Sequence, residues 1–567
     1  MNGAPKRLWR IAAQDRAAAM ELARTVGVHP VVAQLLLARG VTSEDAAREF
    51  LNPALRQLGD PFALTDMRAA VDRIAAARQR NEHVRVFGDY DVDGIAACAI
   101  LHAGLRRFGV DRVSCGLPQR LVEGYGISVE HVDAAHADDV SLIITVDNGV
   151  RAYDAAARAR ELGIDLIITD HHAVDGLLPE AVAVINPKRD AADLPTAHLC
   201  GAGIAFKLSE ALNGSRNDLD LAALGTVADI VPLLGENRVI VALGLKHMAR
   251  YARTSLAQLA DVAGLNVREL RARHLGFHLA PRLNAAGRLS DGRAALRLLL
   301  EEDAAQAREL AVELHAANDE RRDLEKRIYD EAVAELEHVF TPEQRTIVLA
   351  RRGWHSGVIG IVATRVQTHF FRPVTLIAID DDGMGKGSAR SIPGFDLVGA
   401  FAACVGTFEQ YGGHQAAAGL TIREENIPAF REAFEAEALR RLGPDEILPA
   451  LDIDGPVSLS EIDGAFMSAL ARLEPFGNKN PAPLFCALEV DLIPHSPRAL
   501  NGGHVKFAVR QGGRVFDVVG FGFGEWIRPD AIPRRLDIAF VPETNTYRGE
   551  TSIQLVLRDL RPAGKTH

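Results

Sequence analysis

Carboxylates and two adjacent histidines occur in three short clusters, each placed directly after a run of apolar residues. The clusters are Asp89, Asp91 and Asp93 after VRVF, Asp147 with Asn148 after SLIITV, and Asp170, His171 and His172 after LIIT. Five carboxylates crowded together cannot all stay ionised unless cations accompany them. Carboxylate oxygens with imidazole nitrogens suit Mn²⁺ or Mg²⁺, and the imidazoles favour Mn²⁺. The residue types therefore predict a divalent-metal site, provided that the clusters meet in space.

The segments around these clusters predict how the clusters would meet. Short apolar runs rich in β-branched residues alternate with Ala-rich stretches such as 94–108 and 151–162. This alternation indicates a parallel sheet covered by helices. Ligands of open parallel sheets bind beyond the carboxyl ends of the strands, so we expect the three clusters to converge there. A further acid, Asp229 in GTVADIVPL, follows a helical stretch and could complete the set.

Each acid taken alone has an ordinary structural alternative. A single aspartate after a strand is commonly a turn residue or a helix N-cap, and this applies to Asp147 and Asp170. The DxDxDG run could be a calcium loop, but an EF-hand needs Glu at its twelfth position, where this chain has Ile100. Three acidic clusters at three strand ends, one carrying His-His, favour the metal site.

The chain divides into segments of different pattern, and the predicted class is multidomain α/β. Residues 291–339 carry Leu and Ala at helical spacing and predict a long connecting helix, although a helix inside one domain is the alternative. After residue 445, short alternating runs separated by Gly, Asn and Pro predict a β-barrel of the OB type. The predicted domains are 1–60 (helical), 61–290 (parallel sheet), 291–339 (connecting helix), 340–445 (second α/β domain) and 446–567 (OB-like barrel).

The bulk composition sets broad limits on the class of protein. The chain has 567 residues with a net charge of −11, which argues mildly against nucleic-acid binding by bulk charge but not against a basic groove. The five cysteines are scattered and no apolar run approaches the ~20 residues of a membrane span. The first residues also lack the apolar run of a signal peptide. We therefore expect a cytoplasmic, monomeric protein without a membrane segment.

Several sequence segments carry a family resemblance. GDYDVDG (88–94), VDNG (146–149), DHH (170–172) and GTVADIVPL (225–233) resemble the motifs of the DHH phosphoesterase superfamily. Six further segments are similar to the RecJ family of that superfamily: PQRLVEGYG, PRLNAAGRL, GWHSGVIGIVATR, GKGSARSIPGFDL, YGGHQAAAGL and LEPFGNKNPAPLF. The resemblance runs from about residue 60 to the end. Other superfamily members often have His where this chain has Phe87, so the role of Asp89 stays open.

The resemblance implies a specific set of metal ligands. One ion is expected on Asp89 or Asp91 together with Asp147. A second is expected on Asp93, Asp147, His171 and Asp229. His172 is expected beside the scissile phosphate as an electrophile or proton donor, so that His172, Asp147 and Asp93 form the catalytic set.

The resemblance also implies a substrate and partners. It implies a 5′→3′ exonuclease that hydrolyses single-stranded DNA to 5′-mononucleotides by two-metal-ion catalysis in DNA repair and recombination, with a single-stranded-DNA-binding protein and a RecQ-type helicase as partners. The implied substrate-binding residues are Arg120, Asn284, Arg288, Ser388, Arg390 and His414. An arginine fork suits bidentate phosphate recognition, although Arg120 alone could equally form a surface salt bridge. GGHQAAAG predicts a Gly-rich turn before a helix whose start would bind an anion, with packing of His414 as the alternative.

The barrel supplies candidate base-stacking and phosphate-binding residues, and their alternatives stay open. The candidates are Lys479, Lys506, Phe507, Arg514, Phe516, Tyr547 and Arg548, and each aromatic could instead belong to the core. Trp354 and His355 precede a predicted helix, where they could contact a nucleotide or pack. Two other functions compete with the exonuclease: a DHH hydrolase acting on small phosphates, and a DNA-binding scaffold that has lost its ligands. All the acids and both histidines are present, which argues against the scaffold.

Overall fold

The computed structural model describes residues 7–119, 123–174, 176–289, 291–525, 527–547 and 550–564. The chain separates into two compact units. The first unit contains Glu49–Arg322 together with Glu474–Pro481, and the second contains Met1–Arg48, Asp323–Leu473 and Ala482–His567. Among the described helices, none combines the length and apolar character that a membrane span requires.

The first unit is built on a five-stranded parallel sheet. Its strands are β2 (His83–Gly88), β3 (Val113–Gly116), β4 (Val140–Val146), β5 (Asp165–Thr169) and β6 (Ala183–Ile185). The strands lie in the order β3-β2-β4-β5-β6, and every neighbouring pair is parallel. The runs VRVF, SLIITV and LIIT thus form strands as predicted, and their continuous apolar character reflects burial on both faces. The edge strand β3 is only half-buried.

Helices cover both faces of this sheet and extend beyond it. They are α4 (Met67–Gln79), α5 (Val92–Phe108), α6 (Val129–Ala137), α7 (Tyr153–Glu161), α8 (Gly201–Asn213), α9 (Leu219–Ala228), α10 (Gly235–Arg250), α11 (Thr254–Val262), α12 (Ala272–His274), α13 (Ala280–Leu289) and α14 (Arg293–Leu300), with a π-helical turn at Leu275–Leu279. A helix that is apolar all round belongs inside a core, and α5 fits this rule because it is buried along most of its length. Small residues let α8 approach it closely, since a Cβ at Gly104 would lie 2.6 Å from the Ser209 hydroxyl oxygen.

The second unit contains a mixed sheet next to α15 (Ala304–Val339), which begins in the first unit. The strands β7 (Ile347–Arg352), β8 (Val374–Ile379), β9 (Met384–Arg390), β10 (Gln410–Gly413) and β11 (Ala417–Arg423) lie in the order β10-β11-β9-β8-β7. Three helices accompany them: α16 (Ser356–Phe370), α17 (Leu397–Ala403) and α18 (Ile427–Arg441). This arrangement agrees with the predicted second α/β domain.

A closed barrel follows this sheet in the second unit. Strand β12 (Ala450–Ile453) precedes the barrel and lies outside its sheet. The strands of the barrel sheet are β13 (Gly455–Pro456), β14 (Phe485–Leu492), β15 (Arg498–Leu500), β16 (His504–Gln511), β17 (Arg514–Gly520), β18 (Arg535–Tyr547) and β19 (Glu550–Pro562), with α19 (Gly464–Ala471) between β13 and β14. The ring β14-β18-β19-β17-β16 closes through pairing of β14 with β16, as the OB prediction requires. Phe507 and Phe516 are buried inside it, so the core alternative holds for these two rings.

Three sequence predictions need correction. The N-terminal segment is not wholly helical, because β1 (Leu8–Ile11) precedes α1 (Arg16–Val26), α2 (Pro30–Ala38) and α3 (Glu44–Leu51) and pairs with β12. The helical stretch predicted from residue 291 is interrupted, because Asp303 caps α15 by accepting from the N–H groups of Ala305 and Gln306. The Ala run of GGHQAAAG forms strand β11, not a helix.

The strand conformation of that Ala run has a physical cause. Residues 417–423 pair antiparallel with β10 on one side and with β9 on the other. Two ladders of backbone hydrogen bonds outweigh the helix propensity of alanine, which is the highest of any residue but exceeds that of most others by less than about 1 kcal/mol. His414 therefore lies in a hairpin turn, where its N–H donates to the Ala417 carbonyl at 2.8 Å, and the predicted anion site at a helix start does not exist there.

A fully buried ion pair joins helices α8 and α10 in the first unit. Lys207 Nζ lies 2.7 Å from Glu236 Oε2, and both side chains have 0% exposed surface. The Lys207 ammonium also donates to the Gly59 carbonyl, and Glu236 accepts from the Gly59 N–H. Breaking such a pair leaves one buried charge without a partner, which costs far more than the pair itself contributes.

We predict that Lys207→Met lowers the free energy of unfolding by about 3–5 kcal/mol, because the Glu236 carboxylate stays buried without its cation. The double variant Lys207→Met/Glu236→Leu should recover much of the loss. Urea denaturation followed by circular dichroism measures both. Lys326→Ala, which removes an exposed pair with Asp330, is the control and should change stability by less than about 1 kcal/mol. Equal losses in Lys207→Met and Lys326→Ala would contradict the prediction.

Candidate metal centre

Three strand ends bring the acidic clusters together at one edge of the parallel sheet. In the sheet register, Gly88 lies opposite Val146, and Val146 lies opposite Thr169. Asp89, Asp147 and Asp170 are the next residues along the three strands. The clusters therefore converge as predicted from the strand pattern.

The side-chain atoms of the predicted ligands lie close enough to share metal ions. His171 Nε2 is 2.9 Å from Asp147 Oδ1, 3.8 Å from Asp93 Oδ2 and 3.6 Å from Asp229 Oδ2. Three groups of potential ligand atoms each lie within 4.8 Å: Asp89, Asp91 and Asp147; Asp93, His171 and Asp229; and Asp147, His171 and His172. The first group contains the residues expected for one ion, and the second contains those expected for the other ion except Asp147. Asp147 is positioned between them, because it belongs to the first group and contacts His171 of the second.

Backbone groups orient two of these carboxylates. Asp91 caps α5, with one oxygen accepting from the N–H groups of Asp93 and Gly94. Asp93 accepts from the N–H groups of Gly201 and Ala202 at 2.6 and 2.9 Å, at the start of α8. A helix N-terminus favours a negative charge, so α8 helps to hold Asp93 ionised.

Asp147 occupies a backbone conformation that L-residues rarely adopt. Its φ is +62°, in the left-handed region, and its N–H donates to the Thr169 carbonyl at 3.0 Å. Such strain concentrates at functional sites. Helix α8 fits closely against it, since a Cβ at Gly201 would lie 2.5 Å from the Asp147 Cβ. The close packing and the strained turn together fix the direction of the carboxylate.

The acids oppose one another's ionisation. Burial, and then repulsion from Asp93 and Asp91, raises the pKa of Asp229 to about 9. Burial and repulsion from Asp91 raise the pKa of Asp93 to about 6, and burial with repulsion from the other four acids raises the pKa of Asp147 well above its usual range. Burial and the neighbouring His172 lower the pKa of His171 to about 4, so its imidazole is neutral at physiological pH and able to ligate a metal.

The residues fit a divalent-metal site by an independent criterion. Within the described part of the chain, Asp147 Oδ1, Asp229 Oδ2 and His171 Nε2 are buried and make no hydrogen bond, although His171 Nε2 lies 2.9 Å from Asp147 Oδ1. Buried polar atoms are normally hydrogen-bonded, so three such atoms close together fit a site for a metal ion. Carboxylate oxygens with one imidazole form the donor set that Mn²⁺ or Mg²⁺ prefers. The sequence prediction of a divalent-metal site therefore matches the geometry.

His172 is held differently from His171. Its Nδ1 lies 2.7 Å from Asp170 Oδ1 and 3.0 Å from the Tyr125 hydroxyl. Burial works against the ionised form of Asp170, but the hydrogen bond from His172 outweighs it and lowers the pKa of this carboxyl. Because the ionised Asp170 can only accept, the proton of the neutral His172 ring resides on Nδ1. Nε2 then carries no proton in the neutral ring.

Asp170 and Tyr125 were not predicted in these roles. Asp170 accepts from the N–H groups of Val150, His171 and His172, so it organises the loop and is absent from all three ligand groups. The Tyr125 hydroxyl donates to the Asp147 carbonyl at 2.8 Å. The segment PQRLVEGYG drew attention only to Arg120, and nothing in the sequence links Tyr125 to a histidine 47 residues away. Phe87, where related proteins often have His, is buried against the His131 ring.

The implied substrate-binding residues are distributed over both units. Asn284 lies beside the metal centre, because its Oδ1 accepts from the Val92 N–H at 3.1 Å, and Arg288 lies one turn further along α13. Ser388, Arg390 and His414 belong to the second unit, where the Arg390 guanidinium donates to the Ser388 hydroxyl at 3.1 Å. Arg120 lies outside the described residues, as do Arg548 and the side chain of Tyr547.

The remaining candidates have ordinary contacts. Trp354 is buried and its Nε1 donates to Glu331, and His355 caps α16 by accepting from the Gly357 N–H. Lys506 pairs with Asp517 at 2.7 Å. Lys479 and Arg514 are exposed. These contacts favour a structural role for Trp354.

We predict that the melting temperature of the metal-free protein falls as the pH rises from about 6 to about 8. Asp229 has an ordinary pKa of 3.8 and a folded value of about 9. Between these values the native state binds the extra proton, so raising the pH destabilises it relative to the unfolded chain. Mn²⁺ should raise the melting temperature more at about pH 8 than at about pH 6, because protons then compete less for the ligands.

Differential scanning fluorimetry measures this pH dependence. Asp229→Asn is the control and should reduce both the fall with pH and the stabilisation by Mn²⁺. A melting temperature that rises with pH over this interval in the metal-free protein would contradict the electrostatic description.

Comparison with known proteins agrees with the fold and with the site. Family models match at residues 83–227 (DHH family, N-terminal domain), 343–439 (DHHA1 domain) and 453–559 (RecJ OB domain). A single-stranded-DNA-specific exonuclease RecJ of Bacillus subtilis is 36% identical over 98% of this chain and 71% of the relative. The crystal structures of RecJ from Thermus thermophilus with Mn²⁺ and with Mg²⁺ superpose with TM-scores of 0.85 and 0.79.

These two structures cover 98% of this chain, and this chain covers 80% and 79% of theirs, at 32% and 31% identity. All three domain types thus occur here in one chain and in the order DHH, DHHA1 and RecJ OB. The similarity is close to full-length for this chain and includes relatives that hold the same kinds of ion that the centre fits. The chain belongs to the RecJ family of metal-dependent exonucleases.

Proposed function

We propose that this enzyme hydrolyses single-stranded DNA from the 5′ end, releasing 5′-mononucleotides with the help of two divalent cations. The observation that carries the proposal is the set of buried carboxylates and one neutral imidazole, which form two adjacent ligand groups. Asp147 belongs to the first group and contacts His171 of the second. Mn²⁺ or Mg²⁺ is the cofactor, in line with the ions of the family's crystal structures. The match over all three domains supports DNA as the substrate.

The proposed ligands divide between the two ions. Asp89, Asp91 and Asp147 would hold one, and Asp93, His171 and Asp229 with Asp147 would hold the other. Divalent cations bound side by side supply activation of water and neutralisation of charge on the phosphate. Asp147 would act in catalysis as a ligand placed between the two ions, and Asp93 as a ligand of the second ion that two backbone N–H groups hold in place.

His172 acts directly on the substrate in this proposal. Asp170 holds its Nδ1, which would leave Nε2 for the substrate. Burial lowers the pKa of His172, but the hydrogen bond and the charge of Asp170 outweigh burial and raise it. A raised pKa makes the protonated ring available near neutral pH, either to stabilise charge on the phosphate or to donate a proton to the leaving oxygen.

Recognition of the 5′ end is assigned to arginine and amide side chains. Ser388 and Arg390 form a hydrogen-bonded pair suited to a terminal phosphate, with Arg120 and His414 as further contacts. Asn284 and Arg288 on α13 would contact the strand near the scissile bond. The barrel would bind nucleotides that follow, through exposed basic residues such as Arg514.

The biological setting follows from the substrate. An exonuclease that consumes one DNA strand would act in repair and recombination, beside a single-stranded-DNA-binding protein and a RecQ-type helicase that supplies the strand. A cytoplasmic, monomeric enzyme is the corresponding expectation. The competing hydrolysis of a small phosphate, such as pyrophosphate or a dinucleotide, shares the metal centre but leaves the OB barrel without a role.

We predict that, with Mn²⁺, a 5′-labelled single-stranded oligonucleotide releases its label first as a mononucleotide. A 3′-labelled one should yield a ladder that shortens from the unlabelled end. Blunt duplex DNA should resist digestion, and a dinucleotide should be cut more slowly than a long strand. Asp147→Ala is the control and should remove activity on all substrates. Mononucleotide released first from the 3′ label would contradict the polarity, and faster cleavage of the dinucleotide would favour the small-phosphate hydrolase.

We predict that His172→Asn lowers kcat by about 10²–10⁴-fold because the acid–base group is lost. KM for the oligonucleotide and the rise in melting temperature on adding Mn²⁺ should stay close to those of the parent. Asp147→Asn serves as the contrast, since it should lose both activity and the Mn²⁺-induced stabilisation. Loss of that stabilisation in His172→Asn would instead identify His172 as a metal ligand.

A further inference from the structure

The turn that carries Asp229 has a strained backbone. Helix α9 ends at Ala228, Asp229 is its C-cap, and the next residue, Ile230, has a φ of +59°. A β-branched residue in the left-handed region is unfavourable and persists only where surrounding contacts enforce it. The Ile230 side chain is 70% exposed, so its own packing does not supply that support.

A short segment distant in sequence holds this turn. We name Glu474–Pro481 the strap; it belongs to the first unit, although the residues on either side of it belong to the second. Asn478 Nδ2 donates to the Ile230 carbonyl at 2.7 Å. The Leu233 N–H donates to the Asn478 carbonyl at 2.9 Å. Asn478 therefore makes one hydrogen bond at each end of residues 230–233.

The strap is itself firmly anchored. The buried guanidinium of Arg238 donates to the carbonyls of Glu474 and Pro475 at 2.9 and 3.4 Å, and it lies 3.7 Å above the Phe50 ring. Within the strap, Asn480 Nδ2 donates to the Pro475 carbonyl at 2.8 Å. A strap fixed at its base can hold a strained turn in place.

The strap also packs closely on the turn. A Cβ at Gly477 would lie 2.6 Å from Leu233 Cδ1, a side chain with only 2% exposure. The absence of a side chain at Gly477 lets the strap backbone reach the hydrogen-bonding distance of Leu233. Steric fit and hydrogen bonding thus act on the same turn.

We propose that Asn478 is a positioning residue for the second ion, because it fixes the turn that aims the Asp229 carboxylate at Asp93 and His171. This inference rests on the proposed role of Asp229 as a metal ligand. Without the Asn478 amide, Ile230 loses a partner that enforces its positive φ and can relax. Relaxation one residue after Asp229 turns the carboxylate away from its group. The segment LEPFGNKN thereby contributes to metal affinity without contacting a metal.

The test is a titration of the metal-free full-length protein with Mn²⁺, in which free Mn²⁺ is quantified by electron paramagnetic resonance. Asn478→Ala should weaken the Asp229 site about three- to tenfold, which is the range of one hydrogen bond. The Mn²⁺ concentration for half-maximal activity should rise by the same factor, while the rate at saturating Mn²⁺ returns to that of the parent. Gly477→Ala, which places a methyl group against Leu233, should weaken the same site while retaining the amide.

The matched control is Asn266→Ala, which removes another exposed asparagine of the first unit whose hydrogen bonds go to Arg268 and Glu269. It should leave Mn²⁺ affinity unchanged. If Asp229→Asn weakens Mn²⁺ binding while Asn478→Ala and Gly477→Ala match the parent, the positioning role is overturned and the proposed function stands. If Asp229→Asn itself binds Mn²⁺ like the parent, the ligand assignment fails, and the role of Asn478 fails with it.

Discussion

The structure of the first unit depends on one electrostatic constraint, which is the placement of five carboxylates and one imidazole at a single sheet edge. Asp89, Asp91, Asp93, Asp147 and Asp229 repel one another, and burial raises the pKa of Asp93, Asp147 and Asp229 further. Such an arrangement is unfavourable for an apoprotein and favourable only when cations share the space. The contacts that hold these carboxylates at the sheet edge must therefore overcome the repulsion between them.

The means of holding them are distributed over the fold. Two N–H groups at the N-terminus of α8 donate hydrogen bonds to Asp93, and Asp91 is held because its side chain caps α5. Asp147 sits at a strained φ against the close-packed Gly201. The strap supports the other strained turn, beyond Asp229. Strain at two of the acid-bearing turns is tolerated because the surrounding backbone contacts enforce it.

The electrostatics also separate the functions of neighbouring histidines. Burial keeps His171 neutral and able to ligate, whereas the hydrogen bond and charge of Asp170 outweigh burial and raise the pKa of His172. Two adjacent residues with identical side chains thus acquire different chemistry from their hydrogen-bond partners. In the second unit, the Arg390 guanidinium donates to the Ser388 hydroxyl, and Arg514 is exposed on the barrel.

The parallel sheet and most of the metal centre could be predicted from the sequence, because the patterns that indicate them lie within short segments. The apolar runs and the acids that follow them identify the parallel strands and, through sheet geometry, the convergence of acids that are far apart in the chain. The conformation of the GGHQAAAG segment could not be read, because two flanking strands override the helix preference of alanine. Likewise, the pairing of Leu8–Ile11 with Ala450–Ile453 and the contact of Asn478 with Ile230 join residues whose proximity depends on the whole chain. Burial of Phe507 and Phe516 follows from closure of the barrel, which no single strand reveals.

The stoichiometry of Mn²⁺ binding tests the central electrostatic claim most directly. Isothermal titration calorimetry of the metal-free protein should give two bound ions per chain, and Asp147→Asn should bind at most one because the carboxylate between the two ligand groups is lost. An Asp147→Asn protein that still binds two ions with the affinity of the parent would contradict the assignment of this sheet edge as the metal centre.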